Sequence, residues 1–346
     1  MKKSLVLLSL ACALLYFSCG DFLLHDDFRG DDWFYLENKG AIMPVWVTGN
    51  TQSGVFIIWL HGGPGASSFP GGAISPFTDL QEDYAIVWWD QRFSGLSQGN
   101  ACKDSLTMEQ FVEDLEKLVV LIRHKYSNPT LFLMGTSWGS SLGTAFLTNP
   151  ANQTYISGWI SLAGPHSYPE VGRHQKEWVL PRAAEQIKLG NDVEHWKKEI
   201  EWFNSNPDIS SHSSGNMLRL WENVIKLHGD ILDPSKQLEI PFSWHFNSPL
   251  SFSYYFNLLF MRTNNGLAWL DNVNLSQDMH KITLPSLLLF GRHDGVVPAA
   301  IGYEAYALLG SQNKYLYFFE NSAHELIFEE SELFLARVRV FIKKYR

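Results

Sequence analysis

Cysteine is scarce in this chain of 346 residues, which holds only Cys12, Cys19 and Cys102. That excludes a scaffold stapled by disulfides, so the fold has to hold through its core. Basic blocks are missing too: 27 Lys and Arg stand against 36 Asp and Glu, a formal charge of −9. Nothing in such a chain neutralises a row of phosphates, and nucleic acid is not an expected partner. The apolar run from Leu5 to Phe17 is broken only by Ser9, but its thirteen residues are too few for a membrane-spanning helix. No pair of histidines stands at helix-face ligand spacing near a carboxylate, and the glycine-rich loop at Gly62 lacks the lysine of a phosphate loop. Neither a metal nor a cofactor is expected.

Apolar residues make up 45% of the chain and charged residues 18%, which describes an ordinary globular protein with enough length for one large core plus a smaller unit. Aromatics reach 14%, with thirteen Trp. Lys2 and Lys3 ahead of the Leu5 run, and small Ser18 before Cys19, read as a secretion signal over residues 1–19. Two outcomes stand side by side: simple cleavage, or lipoprotein-type cleavage with lipidation of Cys19 and anchorage to a membrane. Either places the mature chain in a bacterial cell envelope or outside it.

The chain is organised around Leu131-Phe-Leu-Met-Gly-Thr-Ser137-Trp-Gly-Ser-Ser-Leu-Gly143. An apolar strand runs into a turn that presents Ser137 between Gly135 and Gly139, and a helix follows. This is the pattern of a nucleophile elbow, in which larger residues at the two glycine positions would collide with neighbouring backbone. The turn feeds a helix N-terminus, whose N–H groups and dipole suit a developing oxyanion.

Around it, strands and helices alternate. Trp33 to Leu36 and Ile42 to Val47 read as paired strands about the turn Asn38-Lys-Gly40; Val55 to Leu60 and Tyr84 to Trp89 read as strands covered on both faces. Thr107 opens a helix with Gln110 as its capping-box partner, and Phe111, Leu115, Leu118 and Ile122 form its apolar stripe. A strand is expected at Ile156 to Leu162. From residue 164 to 277 the rhythm turns helical and aromatic, and the strand–helix pattern then resumes with Ser286 to Phe290, a helix over 298–309, Tyr315 to Phe319 and a closing amphipathic helix. The expected fold is α/β: a mostly parallel sheet with helices on both faces, built from 33–163 and 278–346 and interrupted by a helical cap over 164–277.

Asp294 follows the Leu287 strand and His324 follows the Tyr315 strand, so both fall at carboxyl ends of strands, where ligands gather in an open parallel sheet. The order Ser137, Asp294, His324 is that of the α/β-hydrolase fold. In that reading His324 takes the serine proton, Asp294 fixes the imidazole tautomer, and Trp138 and Gly63 supply the oxyanion N–H donors. His293 is the competing histidine, and capping of the helix near Pro298 is the competing role for Asp294. Asp90 and Arg92 are read as structural, with Arg92 tying loops together.

His-Gly-Gly-Pro-Gly at 61–65, Asp-Gln-Arg-Phe-Ser-Gly-Leu-Ser at 90–97, Gly-Thr-Ser-Trp-Gly-Ser at 135–140, Gly-Arg-His-Asp at 291–294 and Ala-His-Glu at 323–325 resemble the proline iminopeptidase family of α/β-hydrolases. The resemblance implies removal of an N-terminal residue, typically proline, from a short peptide, without metal or cofactor. It also implies cap carboxylates that hold the substrate's amino group: Leu220-Trp221-Glu222 resembles one such segment, which makes Glu222 a candidate. At the second, Phe252 of Phe252-Ser-Tyr-Tyr-Phe256 stands where the family has Glu. Two other classes are weighed with this one: a carboxylesterase or lipase-like hydrolase using the same triad, and a non-catalytic envelope binding protein.

Overall fold

The computed structural model describes residues 32–68, 71, 74–206, 216–236, 256, 257, 259 and 266–346. Cys19, the 1–19 segment, Trp244 and Phe252 lie outside the described residues. Among the described residues no helix is long and apolar enough to cross a membrane.

Among the described residues nine strands form one sheet: β1 (Asp32–Asn38), β2 (Ala41–Gly49), β3 (Val55–Leu60), β4 (Ala85–Trp89), β5 (Gln98–Gly99), β6 (Thr130–Thr136), β7 (Gly158–Leu162), β8 (Ser286–Gly291) and β9 (Lys314–Phe319). Their order is β1-β2-β4-β3-β6-β7-β8-β9, with β5 pairing to β2 outside that row. The β1–β2 and β2–β4 pairs are antiparallel, and every pair from β4 to β9 is parallel. The continuous apolar strands are two-sided, as parallel strands under helices must be. Phe56, Ile58 and Leu60 of β3 join Leu131 and Leu133 of β6 in the core on one face, while Ile57 and Trp59 join Phe132 and Met134 on the other.

Local sequence sets the element ends. The helix Met108–Lys125 starts where the Thr107 side chain accepts from Gln110 N, but the expected capping box does not close. Gln110 Nε2 instead donates to Asp114 Oδ1 at 3.3 Å, because Asp114 is fully buried and needs every donor within reach. The strand expected from Ile156 begins at Gly158, since Ile156 N is taken by Gln153 O in the turn after the short helix Pro150–Gln153. Tyr84 caps the helix Phe77–Asp83, which the sequence pattern did not reveal.

Between β7 and β8 the chain leaves the sheet for an insertion whose described helices are Tyr168–Leu189, Val193–Ser205 and Asn216–Lys226. They have a small core of their own, with Trp178, Val179, Phe203, Leu220 and Val224. At the far end of the insertion Trp269 stacks on Phe111 and meets Trp138 edge-on, with ring centroids 5.7 and 5.2 Å apart.

Arg92 and Asp114 are both 0% exposed and form a bidentate pair, Nε to Oδ2 at 2.5 Å and Nη2 to Oδ1 at 2.8 Å. Arg92 also donates to Ser105 Oγ at 2.7 Å, so the loop after β4 is fixed to the Met108–Lys125 helix, as the sequence led us to expect. Removing one partner strands a buried charge. We predict that Asp114→Ala costs about 3–5 kcal/mol in urea unfolding, and that the double change Arg92→Met, Asp114→Leu recovers most of it. Equal losses in the single and double variants would show that the pair is not what fixes this loop.

Candidate active site

The elbow is strained where its geometry requires it. Ser137 sits at φ 51°, ψ −121° between β6 and the helix Trp138–Leu147, and its N–H donates to Leu162 O at 2.9 Å. A β-carbon on Gly139 would lie 1.9 Å from Leu60 O, and one on Gly135 would lie 2.6 Å from the Gly139 carbonyl carbon, so neither position admits a side chain. The loop after β3 comes up against the serine: a β-carbon on Gly62 would be 3.5 Å from Ser137 Cβ. Gly63 has φ 116°, with Gly65 N and Ala66 N where its side chain would be.

Gln91 joins the two sides of this turn. The Trp138 indole Nε1 donates to Gln91 Oε1 at 2.7 Å, Gln91 Nε2 donates to His61 O at 3.2 Å, and Gln91 N donates to His61 Nε2 at 3.1 Å. His61 is neutral in this position, because burial lowers its pKa to about 4 despite the bond to Gly62 O. Beside it Asp90 accepts from Ser67 Oγ, Ser68 N and Leu96 N, while burial raises its pKa to about 6. In the sequence Gln91 is the middle residue of the Asp-Gln-Arg motif, and nothing local marks the bonds it makes.

Asp294 is fully buried in the turn after β8. Its Oδ1 accepts from Val296 N at 2.8 Å and Val297 N at 2.7 Å, and its Oδ2 faces His324 Nδ1 at 2.8 Å. One carboxylate thus shapes the turn ahead of the next helix and holds the imidazole, but it does not cap that helix, whose N-cap is Pro298 with no side-chain bond. His293 gives its N–H to Ser322 O, and it is His324 that meets Asp294. Burial works against the charged imidazole of His324, but the charge and hydrogen bond of Asp294 outweigh it and raise the pKa to about 9.

The insertion reaches this place through Asp230. Its carbonyl accepts from His324 N at 2.9 Å and Glu325 N at 3.2 Å, and Gly229 O accepts from Gly295 N at 2.8 Å. The carboxylates of Asp230 and Glu325 both add to the upward pull on His324, and burial with nearby Asp294 and Asp230 raises Glu325 itself. Nothing in the sequence around Asp230 signals this contact. Glu222 is exposed on the helix Asn216–Lys226, in a cleft of about 540 Å³ that His195, Lys198, Glu199, Arg219 and Lys226 also line. Ser137, Asp294 and His324 are not among the residues lining that cleft.

Residues 55–331 match the sequence family described as alpha/beta hydrolase fold. The chain belongs to that family. Within the α/β-hydrolases it is proline iminopeptidase-like. It is 26% identical over 311 residues to a probable aminopeptidase, YbaC, of Bacillus subtilis (85% of this chain, 94% of that one). It is 24% identical over 292 residues to a proline iminopeptidase of Saccharolobus solfataricus (83% and 84%). The crystal structure of a proline iminopeptidase from Mycobacterium smegmatis shares the fold with a TM-score of 0.63 at 17% identity, over 91% of this chain and 98% of that one.

The raised pKa of His324 has a signed consequence. The protonated ring paired with Asp294 stabilises the fold fully below the ordinary value of 6.5, and that contribution is lost as pH rises through about 9. We predict that NMR titration of the His324 ring gives a midpoint near 9 that falls by more than one unit in Asp294→Asn. An unchanged midpoint in that variant would remove Asp294 as its cause.

Proposed function

We propose that the chain is a serine hydrolase that releases an N-terminal residue of the proline type from short peptides. The observation that supports this reading above the others is the 2.8 Å Asp294–His324 pair at two adjacent strand ends, on the same sheet edge as the strained Ser137 turn. Ser137 Oγ attacks the carbonyl carbon of the first residue while the neutral ring of His324, the form that grows as pH rises toward about 9, takes its proton. The carbonyl oxygen becomes an oxyanion that receives N–H bonds from Trp138 and Gly63. His324 then gives its proton to the leaving amine, the acyl-enzyme forms, and a water deprotonated by the same imidazole hydrolyses it.

An exopeptidase has to recognise a charged amino terminus, which in a partly dry site calls for carboxylates. Asp230 and Glu325 bring two such groups to His324, and we assign them this role ahead of Glu222, which faces a different cleft. The insertion acts as the cap that limits access to chain ends. The Lys2-Lys3 start and the Leu5 run mark the protein for export to the cell envelope. Intact mass of the protein from cells, beginning at Cys19 with or without acyl mass, checks that assignment.

We predict cleavage of prolyl-naphthylamide and not of N-acetyl-prolyl-naphthylamide, with turnover in Ser137→Ala lower by on the order of 10⁴-fold or more. Asp230→Asn should raise KM for the free-amine substrate about tenfold and leave a p-nitrophenyl ester unaffected. Ester turnover alone would move the substrate class to esters, and no labelling of Ser137 by a fluorophosphonate would leave a binding protein. Gln91→Leu should lower kcat by roughly 10–100-fold with little change in KM, since it loosens the oxyanion donors and not the substrate contacts. A change confined to KM would contradict that role.

A further inference from the structure

A second cluster of ionisable side chains lies away from Ser137, where the first helix of the insertion meets the helix Ala299–Leu308. Glu170, His174 and Glu304 each offer one ligating atom, and these atoms all lie within 4.8 Å of one another. His166 stands behind them: it is 3% exposed, and its Nε2 has no hydrogen-bond partner while facing Glu304 Oε2 at 3.3 Å. Sequence spacing did not reveal the set, because Glu304 is 130 residues from His174.

Arg173 supplies the fixed positive charge at this cluster, pairing with Glu170, Glu177 and Glu304. Arg173 Nη2 lies 2.8 Å from His174 Nε2. A guanidinium can only donate, so that nitrogen is the acceptor and the ring proton is on Nδ1, which donates to Glu177 Oε2 at 2.9 Å. Yet the same Nε2 is 2.7 Å from Glu304 Oε1, a second acceptor. Arg173 Nη2 lies within donating distance of both atoms, 2.8 Å from His174 Nε2 and 3.1 Å from Glu304 Oε1, so a cation bridges these two lone pairs and a metal ion would take its place. His166 repeats the arrangement: Nδ1 meets Ser276 Oγ at 3.0 Å and Nε2 faces the other oxygen of Glu304. Histidine metal ligands have this form, one nitrogen held by an outer partner and the other presented to the ion.

We propose that Glu170, His174 and Glu304, with His166, bind a divalent transition-metal ion of the zinc class. Arg173 fills the place as a built-in counter-cation when the metal is absent, donating to Glu170 Oε2 at 2.7 Å and Glu304 Oε1 at 3.1 Å. Arg173 is half exposed, so its guanidinium can leave for solvent when the ion enters. The role is structural. Helix Ala299–Leu308 follows directly from the Asp294 turn, and Gln175 Nε2 already donates to Val296 O of that turn at 2.6 Å. A metal at Glu304 therefore pins the insertion against the segment that holds Asp294.

The test uses the untagged full chain, stripped with EDTA and titrated with Zn²⁺ by calorimetry and with Co²⁺ by visible absorption. One ion per chain is expected, with the intense d–d bands of a four-coordinate Co²⁺ site and a rise in Tm. Glu304→Gln and His174→Ala should each weaken binding by about 10-fold or more. Arg173→Met, which removes the competing cation and leaves every ligand, should tighten it by about 10-fold. Circular dichroism checks that Glu304→Gln, at a half-exposed position, keeps its fold. Absence of saturable binding at 100-fold excess Zn²⁺, affinity unchanged in Glu304→Gln, or weaker binding in Arg173→Met would each overturn the proposal and leave a network of protons and arginine alone.

Discussion

The absence of a side chain at Gly139 is the constraint on which the rest of the molecule turns. Its backbone presses so closely on Leu60 O that no β-carbon fits, and this contact sets how near the elbow helix lies to the end of β3. Because β3 and β6 are neighbours in register from Val55 with Thr130 to Leu60 with Gly135, that one approach brings the His61–Gly65 loop over Ser137. Gln91 then holds the two sides at that spacing from below, and the Arg92–Asp114 pair fixes Gln91's own loop to the helix beneath. A strained serine is tolerable only because its surroundings leave it no other conformation.

Charge around His324 is concentrated and of one sign. Asp294, Asp230 and Glu325 all favour a cation at that edge of the sheet, either the imidazolium itself or a positively charged group brought in from outside. The Ser137 turn, by contrast, is faced by the His61 loop, whose histidine burial keeps neutral. In the reaction proposed above, this difference in charge across a single turn would orient a substrate that is positive at one end and gains negative charge at its carbonyl.

Much of this could be read from the chain because it depends on local pattern. Six-residue apolar strands, glycines two residues either side of Ser137, and acidic or histidine residues just past a strand end are short-range signals that the sheet then collects along one edge. Asp230 and Glu304 gave no such signal, and Gln91 stood in the Asp-Gln-Arg motif with nothing to mark its bonds. Their partners lie from 30 to 130 residues away, and a glutamine between two charged neighbours or an aspartate after a helix looks like any polar loop residue until the fold closes. The Gln110 capping box failed for the same reason. A distant demand, the buried Asp114 carboxylate, outweighed the local preference.

The insertion is closed at its base. Ser167 and Asn274 form a two-residue bridge, flanked by Tyr168 N to Val273 O at 3.1 Å and Leu275 N to His166 O at 2.7 Å, so the departing and returning segments touch before the chain rejoins the sheet. A loop tied in this way costs little more to close when it is lengthened, because closure entropy grows only with the logarithm of its length. The sheet is thus spared most of the entropic cost of a longer insertion. Segments can be exchanged, extended or trimmed there by evolution or by a protein engineer, and the catalytic edge would change its clientele without having to relearn its fold.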